Sequence, residues 1–199
     1  MNTEEYWENR YSKLGNSGAG SYGRLAEFKA DVINSFIADK KIKVIKEFGC
    51  GDGNQLALLK APLYMGYDVS QTVIDKLKKI HESDKSKAFY HISDYDKTVI
   101  KADLTLSLDV LYHLLEDEVF NDYMEKLFDT SDRYVIIYSC HRNDISNSLH
   151  IKFRTFLTWV LKNRPEWRLI DVIENAYPYD RNDPNHTSWS DFYIFERTK

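Results

Sequence analysis

Lys43-Val-Ile-Lys-Glu-Phe-Gly-Cys-Gly-Asp-Gly53 is the stretch that decides the fold. A short apolar run, Val44, Ile45 and Phe48, leads into glycines at alternate positions, Gly49, Gly51 and Gly53. Glycine permits backbone angles closed to other residues, and it leaves room for a ligand to lie against the main chain. Asn54-Gln-Leu-Ala-Leu-Leu-Lys60 reads as a helix. Strand, tight turn and helix together open a nucleotide-binding βαβ unit.

The spacing narrows the choice of nucleotide. A dinucleotide fingerprint, G-x-G-x-x-G/A, counted from Gly49, ends on Asn54, which is neither Gly nor Ala. The phosphate-loop pattern G-x-x-x-x-G-K-[ST] is absent. Leu63-Tyr-Met-Gly-Tyr-Asp68 reads as a second strand, and it ends in a carboxylate 19 residues after Gly49. An acid at that place accepts hydrogen bonds from ribose hydroxyls.

The sequence Glu47-Phe-Gly-Cys-Gly-Asp-Gly53 resembles the first motif of class I S-adenosylmethionine (SAM) methyltransferases. The resemblance implies that Glu47 helps hold the methionine end of SAM, and that Gly49, Cys50 and Gly51 lie against the cofactor. Ala102-Asp-Leu-Thr-Leu-Ser-Leu-Asp-Val-Leu-Tyr-His-Leu-Leu115 looks like the fourth motif of the same family. Leu108 and Asp109 would then border the methionyl part. Lys87–Ile92 reads as a third strand, and the resemblance makes Asp94, just beyond it, the partner of the adenine amino group.

Composition sets outer limits. A chain of 199 residues with 43% hydrophobic content is expected to form one domain with a substantial core. The net charge of −4 and a pI near 5.9 argue against a nucleic-acid surface, which needs clustered Lys and Arg. No apolar run approaches the roughly 18 residues of a membrane span. The first residues are acidic and lack an apolar signal core, so the cytoplasm is the expected compartment. Cys50 and Cys140 form neither a disulfide framework nor a metal-ligand cluster, and no metal site is expected.

Residues 1–23 combine the aromatic run Tyr6–Tyr11 with the Gly- and Ser-rich Gly15–Gly23, and are read as a lid over the cofactor. Tyr11, Ser21 and Tyr22 would reach the cofactor or the acceptor. Residues Arg24–Ile37 form an amphipathic helix with Leu25, Phe28, Val32, Phe36 and Ile37 on its apolar side. Arg24, at its start, meets the SAM carboxylate or faces solvent.

Two histidines compete as general base. His113 follows the Leu104–Leu108 strand, and His141 follows the Asp132–Ser139 strand. Each also has a plain reading, His113 as packing and His141 as a substrate contact. His150–Leu161 reads as a helix that puts His150 and Arg154 on one face, either as an anionic-acceptor site or as a solvent-facing pair.

Trp167–Ile173 and Asp191–Arg197 are alternating strands with no helix between them, so the last strand runs antiparallel. Five βα units and a terminal hairpin resemble the Rossmann-like class I methyltransferase sheet. That is a seven-stranded, mostly parallel α/β sheet of order 3-2-1-4-5-7-6, with strand 7 antiparallel.

The resemblance spans about residues 6–197. Within the family the chain looks most like small bacterial enzymes of capsule or surface-polysaccharide tailoring. It implies methyl transfer from SAM, leaving S-adenosylhomocysteine (SAH), to an oxygen or nitrogen of a small molecule. A sugar or phosphorylated precursor would suit, with no nucleic-acid or membrane partner. The alternatives are an NAD(P)-dependent oxidoreductase and a non-catalytic SAM-binding partner subunit.

Overall fold

Apolar runs build a sheet whose central strands are buried on both faces, while its two edge strands are partly exposed. The computed structural model describes residues 2–96, 100–144, 148 and 150–198. The strands are β1 (Val44–Phe48), β2 (Leu63–Asp68), β3 (Lys87–His91), β4 (Ala102–Leu108), β5 (Ser131–Ser139), β6 (Trp167–Ile173) and β7 (Asp191–Arg197). They form one sheet of order β3-β2-β1-β4-β5-β7-β6. β1 to β5 pair in parallel, and β7 runs antiparallel between β5 and β6.

The helices are α1 (Thr3–Ser12), α2 (Gly23–Lys40), α3 (Gln71–Ile80), α4 (Asp117–Asp129) and α5 (Phe156–Asn163). Strand alternation sorts the core between them. Ile45, Leu104, Leu106, Ile136 and Ile194 face α2 and α3, while Phe48, Val135, Ile137 and Phe195 face α4 and α5. Ser70 caps α3 through its hydroxyl, which accepts from Val73 N.

Three local expectations change. The helix expected over 54–60 shrinks to one 3-10 turn, Leu56–Leu58. Pro62 biases Ala61 away from helical angles, and Asn54 uses its amide to reach Ser21 O at 2.6 Å. The apolar stripe of α2 is rotated from its expected place: Leu25, Ala26, Lys29, Ala30, Ile33 and Ile37 are buried, and Phe28, Val32 and Phe36 are only partly so. The helix expected from His150 begins at Phe156. Arg154, ahead of it, donates to the carbonyls of Leu114 and Leu115 and pairs with Asp117. His150 stacks on Tyr6 instead, with ring centroids 5.0 Å apart. The two residues therefore serve separate contacts and form no common anion site.

Candidate functional site

The carboxyl ends of β1, β2 and β4 open into a pocket, where ligands of open α/β sheets bind. Its floor is the glycine loop. Gly49 N and Cys50 N both donate to Tyr67 O, at 2.7 and 3.0 Å. Gly51 N donates to Asp68 Oδ2 at 2.9 Å, and Ser70 N donates to Asp68 Oδ1 at 3.0 Å. A carboxylate has about four lone-pair sites, and with the Val69 amide also bearing on Asp68 these backbone bonds still leave one for a hydroxyl in the pocket. Burial raises the Asp68 pKa against the pull of these amides.

Gly49, Gly51 and Gly53 all have positive φ. At Gly51 a Cβ would stand 2.3 Å from Ser17 Oγ and 3.0 Å from the Tyr11 hydroxyl. The segment read as a lid is thus already against the loop. Asp52 ties it down: its Oδ2 accepts from Ser17 N at 2.9 Å and from the Tyr22 hydroxyl at 2.7 Å. Ser17 Oγ in turn accepts from Asp52 N at 2.9 Å. Glu8 of α1 reaches the start of α3 through Ser70 Oγ (2.6 Å) and the Thr72 hydroxyl.

Three polar groups mark the interior. Glu47 is buried and accepts from the Tyr64 hydroxyl at 2.6 Å. Burial pushes its pKa up to about 7, against that bond and the nearby Lys29 charge. Lys29, 1% exposed, pairs with Asp109 Oδ2 at 2.8 Å. Gln55 donates to Ala26 O at 3.1 Å, while its buried Oε1 has no partner. All three line the pocket.

These groups fit SAM. An orphaned buried acceptor and an acid suit the ammonium, the lysine suits the carboxylate, and Asp68 suits a ribose. Val69, Ile92 and Leu114 give the same pocket apolar wall.

Most of the residues picked from sequence meet here. Tyr11, Glu47, Gly49, Cys50, Gly51, Asp68, Leu108, Asp109 and His113 line the pocket. Three do not. Asp94 is exposed on a 3-10 turn, and Ile92 faces the pocket in its place. Arg24 pairs with Asp183 at 3.1 Å, donates to His186 O and covers the Tyr177 ring. His141 packs edge-on against Phe156 on the α5 side of the sheet, with Nδ1 buried and unpartnered. Burial lowers its pKa.

Asp109 has a left-handed backbone, φ 59°, and both its carboxylate oxygens are engaged. Beside Lys29 it takes the hydroxyls of Tyr112 and Ser190, both at 2.9 Å on Oδ1. It is therefore a hub that holds Lys29 in place. Cys50 and Cys140 are buried, and burial raises both thiol pKa values.

His113 has one defined tautomer. Its Nδ1 lies 3.0 Å from His150 O. A carbonyl only accepts, so Nδ1 carries the proton and Nε2 keeps its lone pair. Burial lowers the ring pKa to about 4, offset in part by that bond. Trp7 of α1 packs edge-on against it, with centroids 5.1 Å apart.

Sequence reading missed Lys29, Gln55, Asp52 and Ser17. Lys29 carried a signal: it sits at helical spacing between Leu25 and Ile33, a lysine inside an apolar stripe.

No protein-family model matches the sequence, and no curated protein does. Solved structures match the fold. N-methyltransferase NodS from Bradyrhizobium japonicum, in complex with SAH, is 12% identical with a TM-score of 0.75, covering 100% of both chains. Magnesium protoporphyrin IX methyltransferase ChlM from Synechocystis, with bound SAH, is 14% identical with a TM-score of 0.68, covering 98% of each. The methyltransferase domain of bacterial CtHen1-C is 19% identical with a TM-score of 0.67, covering 87% of this chain and 98% of that one. The chain has the Rossmann-like class I methyltransferase fold. Among the described residues no helix is long and apolar enough to cross a membrane.

Proposed function

We propose that the protein is a SAM-dependent methyltransferase acting on an oxygen or nitrogen of a small molecule. The observation that carries this reading is the pocket itself, with an ammonium-type site at Glu47 and Gln55, a carboxylate-type site at Lys29 and a ribose-type site at Asp68. The cofactor supplies an electrophilic methyl group on sulfur, and the acceptor's lone pair displaces the thioether.

The chain's own residues align and exclude. Asp68 and the glycine loop fix one end of the cofactor, and Lys29, held by Asp109, fixes the other. Residues 17–22 act as a lid latched by Asp52, which keeps water out. His113 Nε2 stands ready to take the proton of a hydroxyl acceptor. At a pKa near 4 the ring is neutral at pH 7 and so able to accept. An amine acceptor needs only to arrive unprotonated. A role in surface-polysaccharide tailoring rests on the sequence resemblance.

The test is calorimetric titration of the purified protein with SAM, SAH and NAD on separate samples. Micromolar-scale binding of SAM or SAH without NAD binding is expected. Asp68→Ala should weaken it about 10- to 100-fold, the loss of a hydrogen bond to a charge. Absence of SAM and SAH binding, or binding of NAD, would overturn the reading.

A further inference from the structure

Past the Asp109 end of the pocket, aromatic rings gather where packing does not require them. Tyr179 and Trp189 lie with ring centroids 3.9 Å apart, tilted by 33°. Phe153 meets Trp189 edge-on at 5.8 Å. Tyr179 is 37% exposed and Trp189 42%, and both stand outside the two core clusters. The pair shares one face of each ring, and what stays exposed beyond it is apolar ring surface.

The cluster draws on three separate segments. Arg142 follows β5, Phe153 precedes α5, and Tyr179 and Trp189 belong to the link between β6 and β7. It is also joined to the pocket. Trp189 is followed by Ser190, whose hydroxyl donates to Asp109 Oδ1 at 2.9 Å, and Asp109 lines the pocket. The Tyr138 hydroxyl accepts from Asn175 at 2.6 Å, and Asn175 donates to Ser190 O at 3.0 Å, which fixes this end of the link.

The charge around the rings selects among ligands. Arg142 lies over Phe153 at 5.0 Å and over Trp189 at 5.5 Å. Its guanidinium already donates to Asp144 through Nε (3.0 Å) and Nη2. Asp180, next to Tyr179, adds a further acid. Among the described residues Arg142 is the cation that lies over these rings, it is paired with Asp144, and Arg181 balances the neighbouring Asp180, so an anionic group meets no net positive charge here.

We propose that Tyr179 and Trp189 form a stacking platform for the ring of the methyl acceptor, a neutral molecule with a flat apolar face. A sugar ring or an aromatic group has that chemistry, and a phosphorylated ring is disfavoured. The proposal rests on the methyltransferase reading, since it takes the molecule on the platform to be the acceptor.

Saturation-transfer NMR suits the weak binding of single rings. The probes are methyl β-D-glucopyranoside, benzyl alcohol and glucose 1-phosphate, each with and without SAH, on wild type, Trp189→Ala and Tyr179→Leu. Transfer to one of the two neutral probes is expected, lost in Trp189→Ala and reduced in Tyr179→Leu, with glucose 1-phosphate weaker than the glucoside. The neutral probe that responds separates the sugar from the aromatic source. Two results would overturn the platform: no transfer to either neutral probe, or transfer that survives Trp189→Ala. Preference for the phosphate ester would overturn its neutral character. SAH binding is measured by calorimetry on the same samples and should be equal in all three proteins. Wild type that binds a neutral probe but not SAH would remove the cofactor reading and leave the platform standing.

Discussion

The two ends of the pocket are built on different principles. At the glycine loop, the main chain does the holding: amides of Gly49, Cys50, Gly51 and Ser70 are fixed to Tyr67 O and Asp68. At the hairpin end, side chains from distant segments meet, as Lys29 and Ser190 do on Asp109. A backbone-built end tolerates little change at its glycines and little variation in its ligand. A side-chain-built end can be altered residue by residue without moving the sheet, which suits the part of an enzyme that must recognise its particular acceptor.

The sharpest way to break this contrast is Gly51→Val. With φ at 54° and a Cβ 2.3 Å from Ser17 Oγ, the variant should lose SAH affinity roughly 100-fold, measured by calorimetry, as lid and loop are forced apart. Retention of affinity would mean that the loop end is not set by its backbone. Lys29→Met strikes the other end. It leaves Asp109 without its buried cation and should cost about 3 kcal/mol of unfolding free energy in a urea titration. Adding Asp109→Asn should recover part of that loss if the pair is what matters.

His113 lies between the two ends and gives a pH test. Its folded pKa of about 4 is below the ordinary 6.5, so the unfolded chain takes up the proton first. This contribution to stability is complete above pH 6.5 and drains as pH falls toward 4. His113→Gln should flatten that limb of a stability–pH profile. His113→Ala should lower turnover of a hydroxyl acceptor about 100-fold while SAH still binds. His141→Ala, outside the pocket, should leave turnover near wild type. The smallest effects belong to Arg24→Ala and Asp94→Ala, each expected within about 0.5 kcal/mol in SAH binding because neither side chain faces the pocket.

The same contrast explains what could be read in advance. The strands themselves, the antiparallel β7 and the cluster of Gly49, Gly51 and Asp68 follow from local patterns: strand period, glycine spacing and an acid at a strand end. The strand order and the place of Asp109 follow from the family resemblance. Arg24 and Asp94 were placed by their nearness to an element boundary, which fixes no side-chain direction. Arg24 turned to Asp183, 159 residues away, and such a partner leaves no local trace. His150 and Arg154 depended on a helix beginning a turn and a half too early. Gln55 and Asp52 were invisible because their roles depend on α2 and the lid folding back over the loop.

The hydrogen bonds of the glycine loop have a consequence for selectivity. Dinucleotide and phosphate loops work by offering unpaired amides to a pyrophosphate. Here the amides of Gly49, Cys50, Gly51, Asp52 and Asn54 all donate to acceptors of the protein itself. A pyrophosphate laid on this loop would meet an anion site with these five donors already engaged, beside the carboxylates of Asp52 and Asp68. The turn has kept the outline of a phosphate cradle and lost its positive pole, so it favours a cofactor that carries its charge in an amino acid rather than in phosphate.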